Sequence, residues 1–255
     1  ADPPVDRGRL SDGIDIDGCA GVRVSDCHIE SGDDALTFKA TTDRPCRDIT
    51  VTNCVLSSEC NAVKFGTESI GGFENITVSN ISIFNTRLCG ITVATVDGGS
   101  VQNVLISNVV MRGVGSPILV RLGNRGYHIK DGQTARPGIL RGVTLRDIRA
   151  VDVRDPHGSA VLGLARRPVE DIHLSGIHIE CPGGGTAADL SRPVKELVDG
   201  YPQYDKWEPF PAYGLYCRHV KDLALDTVRF TLGGNDERRA VVLEDTPVSE
   251  APSSL

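Results

Sequence analysis

One six-residue phrase recurs seven times along the chain, and it restricts the possible folds more than any other feature of the sequence. The phrase has an apolar residue, then two small or polar residues, then an apolar-polar-apolar run. Its third residue advances by 27, 27, 28, 39, 29 and 51 positions, so the short steps are single repeats and the long steps contain an inserted loop. The copies begin at Val24, Val51, Val78, Ile106, Leu145, Leu174 and Leu225.

A second short segment with alternating apolar residues accompanies the repeats, and alternation of period two is typical of a β-strand with one buried face. Short strands with polar corners at a nearly fixed repeat length predict an all-β fold, a single-stranded right-handed parallel β-helix. The spacing predicts about seven to eight coils of 27–29 residues. The second segments begin at Ile14, Leu36, Val63, Ile91, Ile118, Val161, Leu215 and Val241.

The third position of the phrase is mostly Asn or Asp, which favours corners whose side chains satisfy the turn backbone and stack between coils. Two insertions interrupt the stack, near residues 124–137 and 181–211. The larger insertion contains Tyr201, Tyr204 and the single tryptophan, Trp207. These aromatic residues fit either a sugar-stacking loop beside a cleft or a lid over apolar core.

Composition excludes several classes of function. The net charge of −7 and the isoelectric point near 5.4 argue against nucleic acid as a partner. No apolar run is long enough to cross a bilayer. The eight cysteines form no Cys-x-x-Cys pair, and we expect thiols rather than bridges between neighbouring coils, although the strand spacing permits either.

Register places four residues in one column. Counting two residues back from the strand starts at 14, 36, 63 and 91 gives Asp12, Asp34, Asn61 and Cys89 on neighbouring coils. Asp12 and Asp34 are therefore predicted about one strand spacing apart, with Asp33 beside them. Three carboxylates at this distance predict that the pKa of at least one is raised by repulsion.

Paired carboxylates with separated pKa values are what glycoside hydrolysis requires, namely one acid for the leaving oxygen and one base for water. Solvated turn aspartates or a calcium site explain the same spacing equally well.

Two motifs point to a known family. Residues 11–17 read Ser-Asp-Gly-Ile-Asp-Ile-Asp and residues 31–35 read Ser-Gly-Asp-Asp-Ala. In this order they resemble the motifs of the polygalacturonases, glycoside hydrolase family 28, which are pectin-degrading parallel β-helix enzymes. The resemblance implies inverting hydrolysis of a pectic polysaccharide or oligosaccharide without a metal or other cofactor. It implies Asp33 as the general acid, and Asp12 with Asp34 as the carboxylates that hold the attacking water.

The sequence also departs from that family. Cys60-Asn61-Ala62 stands where the family usually has Gly-His-Gly, and Thr92-Val93-Ala94 stands where it usually has Arg-Ile-Lys. Residues 60–69 resemble a variant found in bacterial members, which implies a divergent glycosidase acting on polygalacturonan or rhamnogalacturonan. Nearby polar residues are the candidates for substrate contacts, Lys64 first. The full set is Lys64, Asn61, Glu59, Glu68, Arg87 and Arg121.

Two alternatives remain at this point. The chain could be a polysaccharide lyase or epimerase on the same scaffold, or a carbohydrate-binding β-helix without catalysis. We expect residues 1–255 to form one domain with a frayed tail over 246–255. We further expect this domain to be the C-terminal part of a longer extracellular or periplasmic enzyme that is monomeric at full length.

Overall fold

The computed structural model describes residues 11–126 and 136–247. Within them, fifteen strands form one sheet, and the pairs of strands that define it are parallel. The strands are β1 (Ile14–Asp17), β2 (Arg23–Ser25), β3 (His28–Ser31), β4 (Leu36–Ala40), β5 (Cys46–Ser58), β6 (Val63–Ser69), β7 (Phe73–Thr95), β8 (Ser100–Leu122), β9 (Ile139–Val151), β10 (Ser159–Leu162), β11 (Val169–Cys181), β12 (Ala212–Arg218), β13 (Val220–Asp226), β14 (Arg229–Leu232) and β15 (Arg239–Glu244). The helical elements are α1 (Ala187–Ser191) and one 3-10 turn (Tyr204–Lys206).

The sheet winds into coils because each strand pairs with its equivalent one repeat later. One wall follows the order β1-β4-β6-β7-β8-β10-β12-β15, while β5, β9, β11 and β13 continue a second wall. The predicted register is confirmed, since Ile14 pairs with Leu36, Leu36 with Val63, and Val63 with Ile91. The predicted parallel β-helix is therefore confirmed.

The core lies inside the coils and is built from the inward residue of each strand. Phe38 and Phe65 stack on neighbouring coils with ring centroids 4.4 Å apart, and Phe73 meets Phe65 edge-on at 5.6 Å. All three rings are fully buried. Such continuous columns leave the outward residues of the same strands free to form a functional surface.

The column of corner residues is confirmed. Asp26, Asn53, Asn80 and Asn108 all have φ between 55° and 58°, a left-handed conformation that Asn and Asp tolerate better than other side chains. Their amides form a ladder, in which Asn80 Nδ2 donates to Asn53 Oδ1 at 3.3 Å and Asn108 Nδ2 donates to Asn80 Oδ1 at 3.1 Å. A second ladder runs from Asp48 through Asn75 to Asn103, and it was not predicted because its residues lie outside the repeated phrase.

The larger insertion is a cover over one wall of the coil. Tyr204, Trp207 and Phe210 form a buried cluster with outward residues of β8, β10 and β12, such as Leu119 and Tyr216. Trp207 is only 6% exposed, which favours the lid over the sugar-stacking loop. Tyr201 differs, since it remains 38% exposed.

Other expectations can be tested only in part. Of the insertion near 124–137, residues 127–135 lie outside the described residues, as do residues 1–10 and 248–255 with most of the expected frayed tail. All eight cysteines are thiols in the structure.

Candidate active site

A polar column precedes the strands β1, β4 and β6, and its side chains tie each coil to the next. Asp12 Oδ1 accepts the Asp34 N–H at 3.0 Å, and Asp34 Oδ1 accepts the Asn61 N–H at 3.0 Å. Asn61 Oδ1 accepts the Cys89 N–H at 3.2 Å. The residues placed in one column by register therefore do lie in one column, since each caps the backbone of its neighbour.

Asp33 joins this column through a shared donor. The Asp34 N–H donates to Asp33 Oδ1 at 2.9 Å as well as to Asp12 Oδ1. The Asp33 carbonyl oxygen accepts from Ser31 Oγ at 2.6 Å and from Ser58 Oγ at 2.5 Å, which fixes the corner of the chain. Asp12 and Asp33 thus present carboxylates that converge on one N–H, and both are partly exposed.

Lys39 controls the charge of Asp12. Its Nζ lies 2.6 Å from Asp12 Oδ2 and 2.9 Å from Asp15 Oδ2. Burial raises the pKa of Asp12, but the hydrogen bond and charge of Lys39 outweigh burial and hold the pKa below its usual value. Burial and the neighbouring Asp12 raise the pKa of Asp15 instead. Lys39 and Asp15 were not among the site residues predicted from the sequence, because their contacts depend on how the long Lys39 side chain crosses from one coil to the next.

Asp34 is enclosed by its partners. It is 3% exposed, and its Oδ2 lies 2.7 Å from Nζ of Lys64, which is also 3% exposed. Asp34 Oδ1 additionally accepts from Asn61 Nδ2 at 2.7 Å. Lys64 Nζ also donates to the Tyr201 hydroxyl at 3.3 Å, so the insertion closes over the pair.

The contacts of Lys64 with Asp34 and Tyr201 favour its charged form. Burial lowers the pKa of Lys64, but Asp34 and Tyr201 outweigh burial, and the pKa lies above its ordinary value. Removing one partner of such a buried pair leaves an uncompensated charge and costs about 3–5 kcal/mol.

These contacts bear on two of the expected substrate contacts. Lys64 does not project into open solvent, because it lies under Tyr201 and is paired with Asp34. Asn61 is buried as well, with its amide engaged by Asp34 and Thr92.

Arg121 is also placed differently from the expectation. It is 1% exposed, donates to the carbonyl oxygens of Leu197 and Gly200, and lies with Cζ 4.5 Å from the Trp207 ring centroid. Burial lowers its pKa to about 10. Arg121 therefore faces the underside of the insertion, and the sequence offered no indication that the loop would fold over it.

The remaining candidates lie on two sides of the site. Arg87 is exposed, and its guanidinium donates to the Glu59 carbonyl at 2.6 Å and approaches Cys60 Sγ at 3.7 Å. Glu59 is exposed beside it. Glu68 belongs to a separate cluster, since it lies 3.5 Å from Arg125, which also binds Asp97 at 2.8 Å.

Cys60 lies against the acidic corner where the sequence departs from the family pattern. Ligand atoms of Asp33, Asp34 and Cys60 all lie within 4.8 Å of one another. Burial, followed by the hydrogen bond and charge of Asp33, raises the pKa of the Cys60 thiol to about 12. The three residues have the donor atoms of a cation site, but a cation there would compete with the Lys64 ammonium for Asp34.

Comparisons with known proteins identify the family of the chain. The model of the family described as glycosyl hydrolases family 28 matches residues 4–196. A "Probable polygalacturonase" of Vitis vinifera is 26% identical over 184 residues, which are 68% of this chain and 37% of that protein. A "Polygalacturonase" of Cochliobolus carbonum is 26% identical over 147 residues, 54% of this chain and 37% of that protein.

A solved structure shares the fold. The crystal structure of a hyperthermoactive exopolygalacturonase from Thermotoga maritima superposes with a TM-score of 0.58 at 24% identity, over 68% of this chain and 40% of that one. The chain thus spans 37% of the length of each of the two relatives in sequence. In the part of the chain that the structure describes, no helix has the length and apolarity needed to cross a membrane.

Proposed function

The chain belongs to family 28 of the glycosyl hydrolases, and from that membership we propose that it hydrolyses a glycosidic bond in a pectic polysaccharide. The substrate is of the polygalacturonan or rhamnogalacturonan type, and the place of action is extracellular or periplasmic. The observation that carries the proposal is the convergence of Asp12 and Asp33 on the Asp34 N–H, with Lys39 holding Asp12 ionised.

The roles follow from the two environments. Asp33 is the general acid that protonates the leaving glycosidic oxygen, and the protonated thiol of Cys60 lies against it. Asp12 is ionised and partly open, so it accepts the proton of the attacking water. The cleaved bond is the one between C1 and the glycosidic oxygen, and the water oxygen takes its place on C1.

We propose that configuration at C1 is inverted. The family resemblance supports inversion. The spacing does not, since the shared Asp34 N–H holds the nearest oxygens of Asp12 and Asp33 closer than the about 6.5–9.5 Å usual between the carboxyl groups of inverting enzymes. The anomer of the first product is therefore a decisive readout, because a retained configuration would make Asp12 a nucleophile instead of a base.

Substrate contacts fall to the exposed polar groups beside the acid. Arg87 lies next to Cys60 and remains exposed, so its guanidinium is available to a carboxylate or hydroxyl of the bound sugar. Lys64 and Asn61 contribute through Asp34 and do not touch the sugar.

The test is a screen of the wild-type chain and the Asp33→Asn variant against oligosaccharides of polygalacturonan and rhamnogalacturonan. We expect new reducing ends from the wild type, a loss of about 100-fold or more in the variant, and no effect of chelator. Unsaturated, ultraviolet-absorbing products that disappear with chelator would show a lyase instead. Binding by both proteins with turnover by neither would show a carbohydrate-binding module.

A further inference from the structure

Asp12, Asp33 and Asp34 converge at the site, but their carboxylates are not equally able to reach a substrate. Asp34 is 3% exposed, and both its oxygens are engaged by groups that are themselves buried, Asn61 and Lys64. Tyr201 closes the side on which Lys64 lies. A general base must approach its water to hydrogen-bond distance, so the Asp34 carboxylate is poorly placed for this role.

Freeing Asp34 would carry a second cost. Its movement toward the groove would leave the Lys64 ammonium buried without its partner, which proteins avoid. Asp12 faces no such restriction, because the side chain of Lys39 is 22% exposed and the side chain of Asp12 is 17% exposed.

The Asp34 backbone has a different function from its side chain. Its N–H is the donor shared by Asp12 Oδ1 at 3.0 Å and Asp33 Oδ1 at 2.9 Å. The side chain of Asp34 anchors that peptide in the wall of the coil through the N–H of Asn61 and the ammonium of Lys64.

We propose that Asp12 alone activates the water, and that the buried Asp34–Lys64 pair is a positioning unit that fixes the N–H shared by the two reacting carboxylates. This inference rests on the proposed function and divides the work among its aspartates. Lys39 keeps Asp12 ionised, while Lys64 holds the Asp34 carboxylate in the wall of the coil and out of the reaction.

Chemical rescue with azide tests this division. Without the base carboxylate, the azide anion can replace water at C1, the C1–oxygen bond breaks, and Asp33 gives its proton to the leaving oxygen. The substrates are oligosaccharides that the wild type cleaves, and NMR monitors the formation of a glycosyl azide from them. We expect Asp12→Ala to lose about 100-fold or more in kcat and to regain at least about tenfold with azide. The azide product should have the configuration opposite to that of the substrate linkage.

Asp34 is tested in the double variant Asp34→Leu/Lys64→Met, which removes both buried charges together and so avoids an uncompensated ion. We expect its circular dichroism spectrum to match that of the wild type. Its kcat should fall by less than about 100-fold, which is the smallest loss expected when a base is removed. It should form no glycosyl azide. Azide rescue of the double variant, or a folded Asp12→Ala variant that azide does not rescue, would overturn the inference. A wild type without turnover would overturn the proposed function itself, which separates the two failures.

Discussion

Two lysines bind the carboxylates of the acidic corner. Lys39 binds Asp12 at the open side of the site and favours its ionised form, and Lys64 binds Asp34 at the buried side. The cost of separating either pair is greater where water cannot replace the lost contact. The pair at Lys39 is therefore the adjustable one, because solvent reaches it.

Replacing Lys39 with methionine should shift the pH dependence of catalysis. Lys39 holds the pKa of Asp12 below its usual value, and a base must be ionised to act. Without the lysine the pKa of Asp12 rises, so activity should be lost at a higher pH on the acidic side, by about one to two pH units. The measurement is the pH profile of kcat/KM for Lys39→Met.

Lys221→Met is the matched control, because Lys221 is exposed and contacts only Asp222, at 3.9 Å, among the ion pairs of the described residues. An acidic limb that stays in place in Lys39→Met, or that moves equally in both variants, would contradict the role given to Lys39.

The sequence predicted which aspartates come together but not how they are compensated. Register alone superposed Asp12 on Asp34, because each lies two residues before the start of its strand, at Ile14 and at Leu36. The lysine partners depend on the direction of long side chains across coils, as with Lys39, which stacks by backbone on Asp17 while its ammonium reaches Asp12. Register does not specify that direction.

At the scale of elements, the coil and the insertion follow different rules. The coil is periodic, so its strands, inner columns and Asn ladder could be read from the repeated phrase. The insertion of residues 181–211 has no repeat, and only its folded form shows that it seals the wall formed by β8, β10 and β12. Arg121 was misjudged for this reason, since nothing in its own strand indicates the cover.

Trp207 offers a direct test of the insertion as a cover. It is the single tryptophan and is buried, with its indole N–H donated to the Lys195 carbonyl at 2.7 Å. We expect its fluorescence to be shielded from acrylamide, and saturating pectic oligosaccharide to leave the quenching constant unchanged. Trp207→Ala should lower the free energy of unfolding by about 3–5 kcal/mol, because a large buried side chain is lost. Protection of the tryptophan by the oligosaccharide would instead support a sugar-stacking role.

At the scale of the whole molecule, the net charge of −7 opposes the approach of a polyanion such as pectin. Binding of the proposed substrate would then depend on local cations, and Arg87 is an exposed cation beside the proposed acid. Lys39 and Lys64 have their charges committed to the aspartates. Lys39 and Lys64 therefore stabilise the aspartates, whereas Arg87 is available to bind the proposed substrate.

The fold of the molecule was more predictable than its site. Period and spacing sufficed to predict the parallel β-helix, because every coil repeats the same strand pairing with its neighbours. The site lies at a single corner, where Cys60 and Asn61 replace the residues of the family pattern and where a distant loop contributes Tyr201. Such contacts arise once, so no repetition in the sequence reveals them.

The most direct test is a crystal structure of the Asp33→Asn variant with a bound pectic oligosaccharide. We expect the scissile glycosidic oxygen within about 2.6–3.2 Å of the residue 33 amide, with C1 and its water facing Asp12. We also expect Asp34 to remain paired with Lys64 beneath Tyr201. An oligosaccharide bound away from this corner, or a water on C1 held by Asp34, would contradict the proposed roles of the aspartates.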